Sequence, residues 1–481
     1  MDYLPQLKIF FGFDSFLDIQ QQVVNTLLED KKNVLLIMPT GSGKSLCYQF
    51  PAMVMEGRTI IISPLIALMQ DQVDKLRKAG LPATFINSSI TSDKRERRLA
   101  DFVDGKTRLL YVTPERFRKT EFIDAVKKTG ISLLAVDEAH CISEWGHDFR
   151  PDYSRVGEFR ELLGNPLTIA LTATATPEVQ NDIIKKLHLE NNNTAVFHRG
   201  IERENLFLGA FDVYGSSAKF EKIISVINSV SGAGIIYFSL IKTLDEFSAK
   251  LTKAGIKHGI YHGNLSAKER KMRQNDFIFG NEKIMLATNA FGMGVDKPDI
   301  RFVIHAELPG SIESYYQEIG RAGRDGKPSF CYLLYDQNDL YIQMDFIKWS
   351  NPESRFYYSL YELLKNRIVE VNSLGLEFLR ENLVYKNRTD FRLETALGML
   401  DRYGATEGDV ENRDLKVVDA LPLQLSDEKF IEAKIMSDRK KLLSVVNYFK
   451  AEKCRKLIIF EYFGITETAP CNNCDICHAE E

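Results

Sequence analysis

Residues 34–45 constrain the fold more than any other stretch. They read Val-Leu-Leu-Ile, then Met38-Pro39-Thr40-Gly41-Ser42-Gly43-Lys44-Ser45, ahead of a helix-competent run from Leu46. A short apolar strand, a turn with two glycines, a lysine and a hydroxyl, then a helix make the setting of a phosphate-binding loop. The glycines let backbone N–H groups close around phosphate oxygens, and the start of the helix adds its partial positive charge. Lys44 can reach the terminal phosphates, and the Ser45 hydroxyl can ligate magnesium. Thr40, Gly41, Ser42, Gly43, Lys44 and Ser45 are therefore the expected nucleotide cradle. The spacing departs from G-x-x-x-x-G-K-[ST] only at its first position, which is Met38.

Around this loop, apolar strands alternate with amphipathic helical stretches. Candidate strands fall at 34–37, 59–63, 83–87, 109–113, 133–136 and 168–172, and again at 206–211, 234–238, 258–261, 283–288, 302–305 and 330–335. Strands rich in Val, Ile and Leu separated by helices predict parallel sheets covered on both faces. The fold class is thus α/β, with two such lobes spanning 1–200 and 201–345 and joined near 197–203. Ligands of open α/β sheets sit at the carboxyl ends of the strands, so the loop and the residues after the other strands should share one crevice. From about 345 the rhythm changes to helical and polar. Residues 346–435 are expected to form a helical segment. The pattern 389–404, ending on Gly404, reads either as the second helix of a winged-helix-like unit or as an ordinary packing helix. Residues 436–481 are expected to form a small metal-binding subdomain.

A chain of 481 residues suits about three domains. The formal net charge of −4 means that any basic nucleic-acid surface must be local. No basic, apolar leader opens the sequence and no run of about 18 apolar residues occurs, so a cytoplasmic protein is expected.

Three further groups carry chemistry. The run Leu133-Leu134-Ala135-Val136 leads into Asp137-Glu138-Ala139-His140. After a phosphate-binding loop, such a pair can hold magnesium through Asp137 and activate water through Glu138. In the second lobe, Arg321 and Arg324 lie three apart in a glycine-containing segment. Phosphoryl transfer needs positive charge as the transition state forms, and an arginine from a partner lobe supplies it only on closure. Four of the seven cysteines, Cys454, Cys471, Cys474 and Cys477, crowd one segment, whereas Cys47, Cys141 and Cys331 are scattered. Four thiolates suit tetrahedral zinc, with an iron–sulfur cluster as the alternative and His478 as a competing ligand.

Together these pieces resemble superfamily 2 helicases, and more closely the RecQ family, over about 11–345 and 454–477. The resemblance rests on 38–49 (MPTGSGKSLCYQ), Ser63-Pro64-Leu65-Ile66-Ala67-Leu68-Met69-Gln70-Asp71-Gln72-Val73, Tyr111-Val112-Thr113-Pro114-Glu115-Arg116, the acid pair extended to Pro151, the threonine-rich 171–176, and 287–298 (ATNAFGMGVDKP). It implies an ATP-dependent DNA helicase of recombination and repair that uses magnesium and zinc and moves 3′ to 5′. Implied substrates are single-stranded and tailed or forked duplex DNA, for a monomer that is nucleoid-associated if bacterial. By resemblance, Trp145, His147, Phe149 and Arg150 form an aromatic-rich loop that senses single strands. Aromatic faces for stacking and an arginine for phosphate suit that task. Thr172 and Thr174 link hydrolysis to strand binding. Ser63, Thr113, Ser239, His262 and Thr288 are implied backbone contacts, and Arg324 is the preferred finger. Other readings are a DNA-stimulated translocase that does not separate strands, a DNA-binding or annealing module with a vestigial ATPase, and an RNA substrate.

The sequence leaves the family pattern in three places. Where the family carries Arg-Pro-Gly before the adenine-reading glutamine, this chain has Leu17-Asp18-Ile19 before Gln20. Gln20 can still bond an adenine edge and Phe13 can still stack on the base. The second lobe and Cys454 are separated by more chain than in the compact family arrangement. The sequence stops four residues after Cys477, so the downstream winged-helix and helicase-and-RNase-D C-terminal modules are expected to be lacking.

Overall fold

The computed structural model describes residues 2–478 except 40, 88, 144–149, 199–202, 281, 293–294, 296, 384–389 and 467. Two parallel sheets dominate it. The first contains β1 (Asn33–Ile37), β2 (Arg58–Ile62), β3 (Ala83–Ile86), β4 (Leu109–Val112), β5 (Ile131–Val136), β6 (Leu167–Thr172) and β7 (Thr194–His198), in the order β3-β4-β2-β5-β6-β1-β7. The second contains β8 (Leu206–Asp212), β9 (Ala233–Tyr237), β10 (Gly259–Tyr261), β11 (Ile284–Ala287), β12 (Ile300–His305) and β13 (Ser329–Tyr335), in the order β10-β11-β9-β12-β13-β8. Both faces of each sheet are covered, as near-continuous apolar strands require. In β1, Leu35 and Ile37 enter one core while Val34 and Leu36 enter another on the opposite face.

All twelve expected strands form, with ends shifted by a residue or two. β7 was not anticipated. It is an edge strand, only partly buried, with Val196 43% exposed, and it lacks the dense apolar pattern of the central strands. Its last two residues fall in the segment expected to join the lobes.

The second sheet's outer strand, β8, is covered by the cysteine-rich segment. Leu208 forms a parallel bridge with Cys474, Leu208 N–H donates to Asn473 O at 3.3 Å, and Asp475 N–H returns to Leu208 O at 3.0 Å. An otherwise open sheet edge is thus paired. Arg455 clamps Asp475 through two bonds of 2.9 and 3.0 Å. Tyr315, Cys331, Tyr448, Phe460 and Cys474 share one core, so the cysteine segment and the second lobe are packed as a unit.

Between them, helices Ser354–Leu374, Leu376–Asn382 and Arg392–Arg402 enclose a separate core around Leu360, Leu364, Leu379, Leu393 and Leu400. The expected pattern 389–404 is realised as Arg392–Arg402, followed by Gly404 at φ +78°. A two-stranded antiparallel hairpin, Thr406–Glu407 with Lys416–Val417, comes next. The divisions expected at 345/346 and 435/436 both fall inside helices, Asp339–Ser350 and Glu428–Lys450. The change in residue pattern there is not a chain break. The first helix stops only before Asn351-Pro352, and no glycine or proline interrupts the second. Among the described residues, no helix is long and apolar enough to cross a membrane.

Candidate nucleotide site and the cleft between the lobes

Because β5, β6 and β1 are neighbours, the residues at their carboxyl ends meet. Gly41 and Gly43 sit at φ +81° and +82°, in the left-handed region that glycine tolerates. A Cβ on Gly43 would lie 2.6 Å from Gln20 Nε2, so the turn has no room for a side chain. Ser45 stands at the start of helix Leu46–Val54. Lys44 Nζ is buried and meets no hydrogen-bond partner among the described residues. An orphaned ammonium beside a glycine cradle at a helix start fits a polyphosphate.

Asp137 follows β5, and its N–H bonds Ile62 O at 2.9 Å. Its carboxyl is pushed up to about 7, chiefly by burial and then by the Glu138 charge, with Lys44 opposing. Magnesium fits here, since a cation reverses that penalty on a buried acid pair. Glu138 takes a left-handed φ of 49° and donates its N–H to Asp137 Oδ1 at 3.0 Å. Its Oε2 lies 3.4 Å from His140 Nδ1, which lies 3.0 Å from Thr172 Oγ1. Thr172 in turn donates to Thr174 O at 2.9 Å. His140 belongs to the acid motif but was given no role from sequence. It joins Glu138 to the threonine segment.

The adenine side differs from expectation. Both ends of the Gln20 amide are already engaged: Oε1 accepts from Leu17 N–H at 2.9 Å, and Nε2 donates to Gly43 O at 3.1 Å. Gln20 thus ties its helix, Asp18–Leu28, to the phosphate loop. Phe13 is 53% exposed and free to stack.

The two arginines of the second lobe behave differently. Arg321 is buried and donates to Gly292 O within its own lobe. Arg324 reaches the first lobe: its Nε would lie 2.9 Å from a Cβ placed on Gly41. It also donates to Val295 O at 3.0 Å. An arginine of the second lobe thus lies against the phosphate loop of the first.

The implied strand contacts lie at or just beyond strand ends, but mostly as buried hydroxyls. Ser63, Thr113, Thr172, Thr174 and Thr288 are all buried. Ser239 N–H donates to Glu307 Oε2 at 2.7 Å, and its hydroxyl donates to Leu308 O at 3.2 Å. His262 Nδ1 is buried without a hydrogen bond among the described residues. Arg150 donates to Pro64 O at 3.0 Å, next to Ser63. Thr40, Trp145, His147 and Phe149 lie outside the described residues. Ser239 also lines a cavity of about 610 Å³ between the second lobe and the helical module.

The sulfurs of Cys454, Cys471, Cys474 and Cys477 all lie within 4.8 Å of one another. Backbone N–H groups of Cys471, Asn473 and Cys477 point at the sulfurs of Cys454, Cys471 and Cys474, at 3.3, 3.4 and 3.4 Å. Such donors favour thiolates, and four converging sulfurs fit a tetrahedral ion. His478 stands outside the cluster, its ring 6.0 Å from that of Phe207. Cys47, Cys141 and Cys331 are buried and apart.

Three family models match in order along the chain: DEAD/DEAH box helicase over 17–183, helicase conserved C-terminal domain over 218–326, and RecQ zinc-binding over 421–478. ATP-dependent DNA helicase RecQ of Bacillus subtilis (strain 168) is 45% identical over 351 residues, covering 73% of this chain and 58% of that one. The probable ATP-dependent DNA helicase RecS of the same strain is 41% identical over 342 residues, covering 70% of this chain and 68% of that one. The chain belongs to the RecQ family of helicases. It spans 58% of the first of these relatives. As a fold, this RecQ-family chain is similar to S. cerevisiae Dbp5 bound to RNA and ADP BeF3, with TM-score 0.56 at 19% identity over 71% of this chain and 89% of that one.

Proposed function

We propose that the chain hydrolyses magnesium-ATP between its lobes and uses the cycle to move 3′ to 5′ along single-stranded DNA and open tailed or forked duplexes, in recombination and repair. The observation that carries this reading is Arg324 lying on Gly41, because the phosphate cradle is then completed by both lobes. Hydrolysis and lobe movement become one event.

In this reading the cradle of Thr40, Gly41, Ser42, Gly43 and Lys44 holds the phosphates, and Phe13 and Gln20 flank the base. Ser45 and Asp137 hold magnesium, which when bound neutralises phosphate charge. Glu138 orients the attacking water and takes its proton, and His140 relays the state of Glu138 to Thr172 and Thr174. Arg324 meets the γ-phosphoryl group, and Arg321 holds the Gly292 carbonyl beside it. Arg150 with Trp145, His147 and Phe149 senses the strand, while Ser63, Thr113, Ser239, His262 and Thr288 shape the loops that track it. Cys454, Cys471, Cys474 and Cys477 hold one zinc. The lobes span 1–200 and 201 to about 350, with the helical module running to 427 and the zinc subdomain from 428 onward.

The test is unwinding of tailed duplexes of both polarities, in DNA and RNA versions, beside strand-stimulated ATP hydrolysis. Separation of 3′-tailed DNA alone is expected. Stimulated hydrolysis with no separated strand at either polarity would make the chain a translocase. Separation confined to RNA would overturn the substrate.

A further inference from the structure

The turn that carries the two arginines is held from outside by a short segment at the entry to the second lobe. Arg203 and Asn205 lie just ahead of β8. The Arg203 guanidinium donates to Ala322 O at 2.6 Å, Gly323 O at 2.8 Å and Gly320 O at 3.4 Å. Asn205 Nδ2 donates to Gly323 O at 2.8 Å and Lys327 O at 2.9 Å. Five bonds from two side chains therefore fall on backbone carbonyls that bracket Arg321 and Arg324. Gly323, between the arginines, sits at φ +55°, and a Cβ there would lie 2.4 Å from Asn205 Nδ2. The turn is shaped to the amide that holds it.

A second layer supports this one. Asn473, between Cys471 and Cys474, donates its Nδ2 to Glu204 O at 2.7 Å. Glu204 stands between Arg203 and Asn205. The same asparagine's carbonyl accepts from Leu208 N–H. The cysteine loop therefore bonds the very segment whose side chains bond the arginine turn.

We propose that Arg203 and Asn205 are positioning residues for Arg324, and that the cysteine loop acts through Asn473 to fix their register. The proposal rests on the reading of Arg324 as the group that meets the γ-phosphoryl. It gives the metal-binding loop a task in hydrolysis beyond stability. A guanidinium spread over three carbonyls is a rigid fork that lysine cannot reproduce. A finger displaced by a fraction of an ångström loses its electrostatic advantage while the substrate still binds.

The experiment uses the full chain carrying Arg203→Lys, Asn473→Ala, Arg324→Ala, or Arg203→Lys with Arg324→Ala. Five quantities are read: zinc content, thermal unfolding, binding of a non-hydrolysed ATP analogue, and strand-stimulated kcat and KM. Asn473→Ala removes one hydrogen bond and keeps all four cysteines, so zinc and analogue binding should remain. Its kcat should fall a few-fold to about tenfold with KM for ATP unchanged. Arg203→Lys should lower kcat further, again at constant KM. Combined with Arg324→Ala, Arg203→Lys should add no further loss, because both act through the same group. Additive losses beside a fully effective Arg324→Ala would overturn the positioning role alone. A normal kcat for Asn473→Ala with zinc retained would remove the cysteine loop from the mechanism. An unchanged kcat for Arg324→Ala would instead overturn the finger reading on which the proposal stands.

Discussion

The two sheets share a design and divide the work. In the first, strand ends present groups that a bound nucleotide would satisfy. Lys44 Nζ is buried without a hydrogen bond among the described residues, and Glu138 Oε2, facing His140 Nδ1 at 3.4 Å, is left for a water beside the phosphates. In the second, most of the matching ends are tied to their own lobe, His262 Nδ1 being an exception. Glu307 accepts from Ser239 and Leu240 N–H at 2.7 and 3.1 Å, His305 meets Glu318 at 2.6 Å, and Tyr237 donates to Phe291 O at 2.9 Å. The second lobe offers one guanidinium from a turn instead. On the proposed reading, one lobe binds the nucleotide and the other completes the site on closure.

The largest effect should come from breaking that division at Arg324. Arg324→Ala should lower strand-stimulated kcat by about 10³-fold or more, while ATP-analogue binding persists. Titration of the analogue beside turnover measures both. An active variant would mean that the second lobe merely covers the site. Within the first lobe, Glu138→Gln should lower kcat by about 10²–10⁴-fold and still bind ATP. Lys44→Ala should lose turnover with the fold intact. Near-normal hydrolysis by either purified variant would remove those residues from the chemistry.

The same division explains what the sequence could reveal. In the first lobe, phosphate and metal chemistry demand particular residue types within a few positions of one another, so Gly41 to Ser45 and Asp137-Glu138 stood out. The twelve expected strands, edge strands β3, β8 and β10 among them, were legible because burial leaves a dense apolar run. Edge strand β7 was not, since half its surface faces water. Arg203 and Asn205 gave no signal, because their partners at 320–327 are distant in sequence and are backbone carbonyls that any residue type supplies. Gln20 was recognised, but its engagement with Leu17 and Gly43 depends on a loop path that no pattern records. The helical module showed its helical rhythm and the pattern ending at Gly404; its separate core emerges from packing.

The lobes should also differ in their dependence on metal. Cys474 bridges β8 and shares the second lobe's core. Cys474→Ser should release zinc and lower the unfolding temperature, by about 2–4 °C per kcal/mol lost in a unit of this size. Hydrogen exchange should rise along β8 and β13 and stay unchanged along β1 and β5. Metal analysis of protein purified without added metal comes first. Iron with visible absorbance, or no metal at all, would overturn the zinc assignment, and exchange rising equally in both sheets would dissolve the contrast.

The smallest expected effect lies at the adenine side of the first lobe. The Gln20 amide is held by Leu17 N–H and Gly43 O, so base reading by Gln20 requires those bonds to be exchanged for bonds to the ligand. Phe13 can stack on any base and discriminates little. The Leu17 side chain offers no donor, so ATP should be preferred over GTP only weakly. Leu17 is 43% exposed and precedes its helix with φ −69° and ψ 151°, an extended conformation that arginine adopts without strain. Leu17→Arg keeps the backbone bond to Gln20 and adds a guanidinium beside the base. One added hydrogen bond is worth about 0.5–1.5 kcal/mol, so the apparent ATP KM should fall a few-fold to about tenfold while that for GTP changes less. Kinetics with both nucleotides on both proteins, with single-stranded DNA present, provide the measurement. Strong ATP selectivity in the native chain, unaltered by Leu17→Arg, would mean that another group reads the base and that Gln20 serves only to brace the phosphate loop.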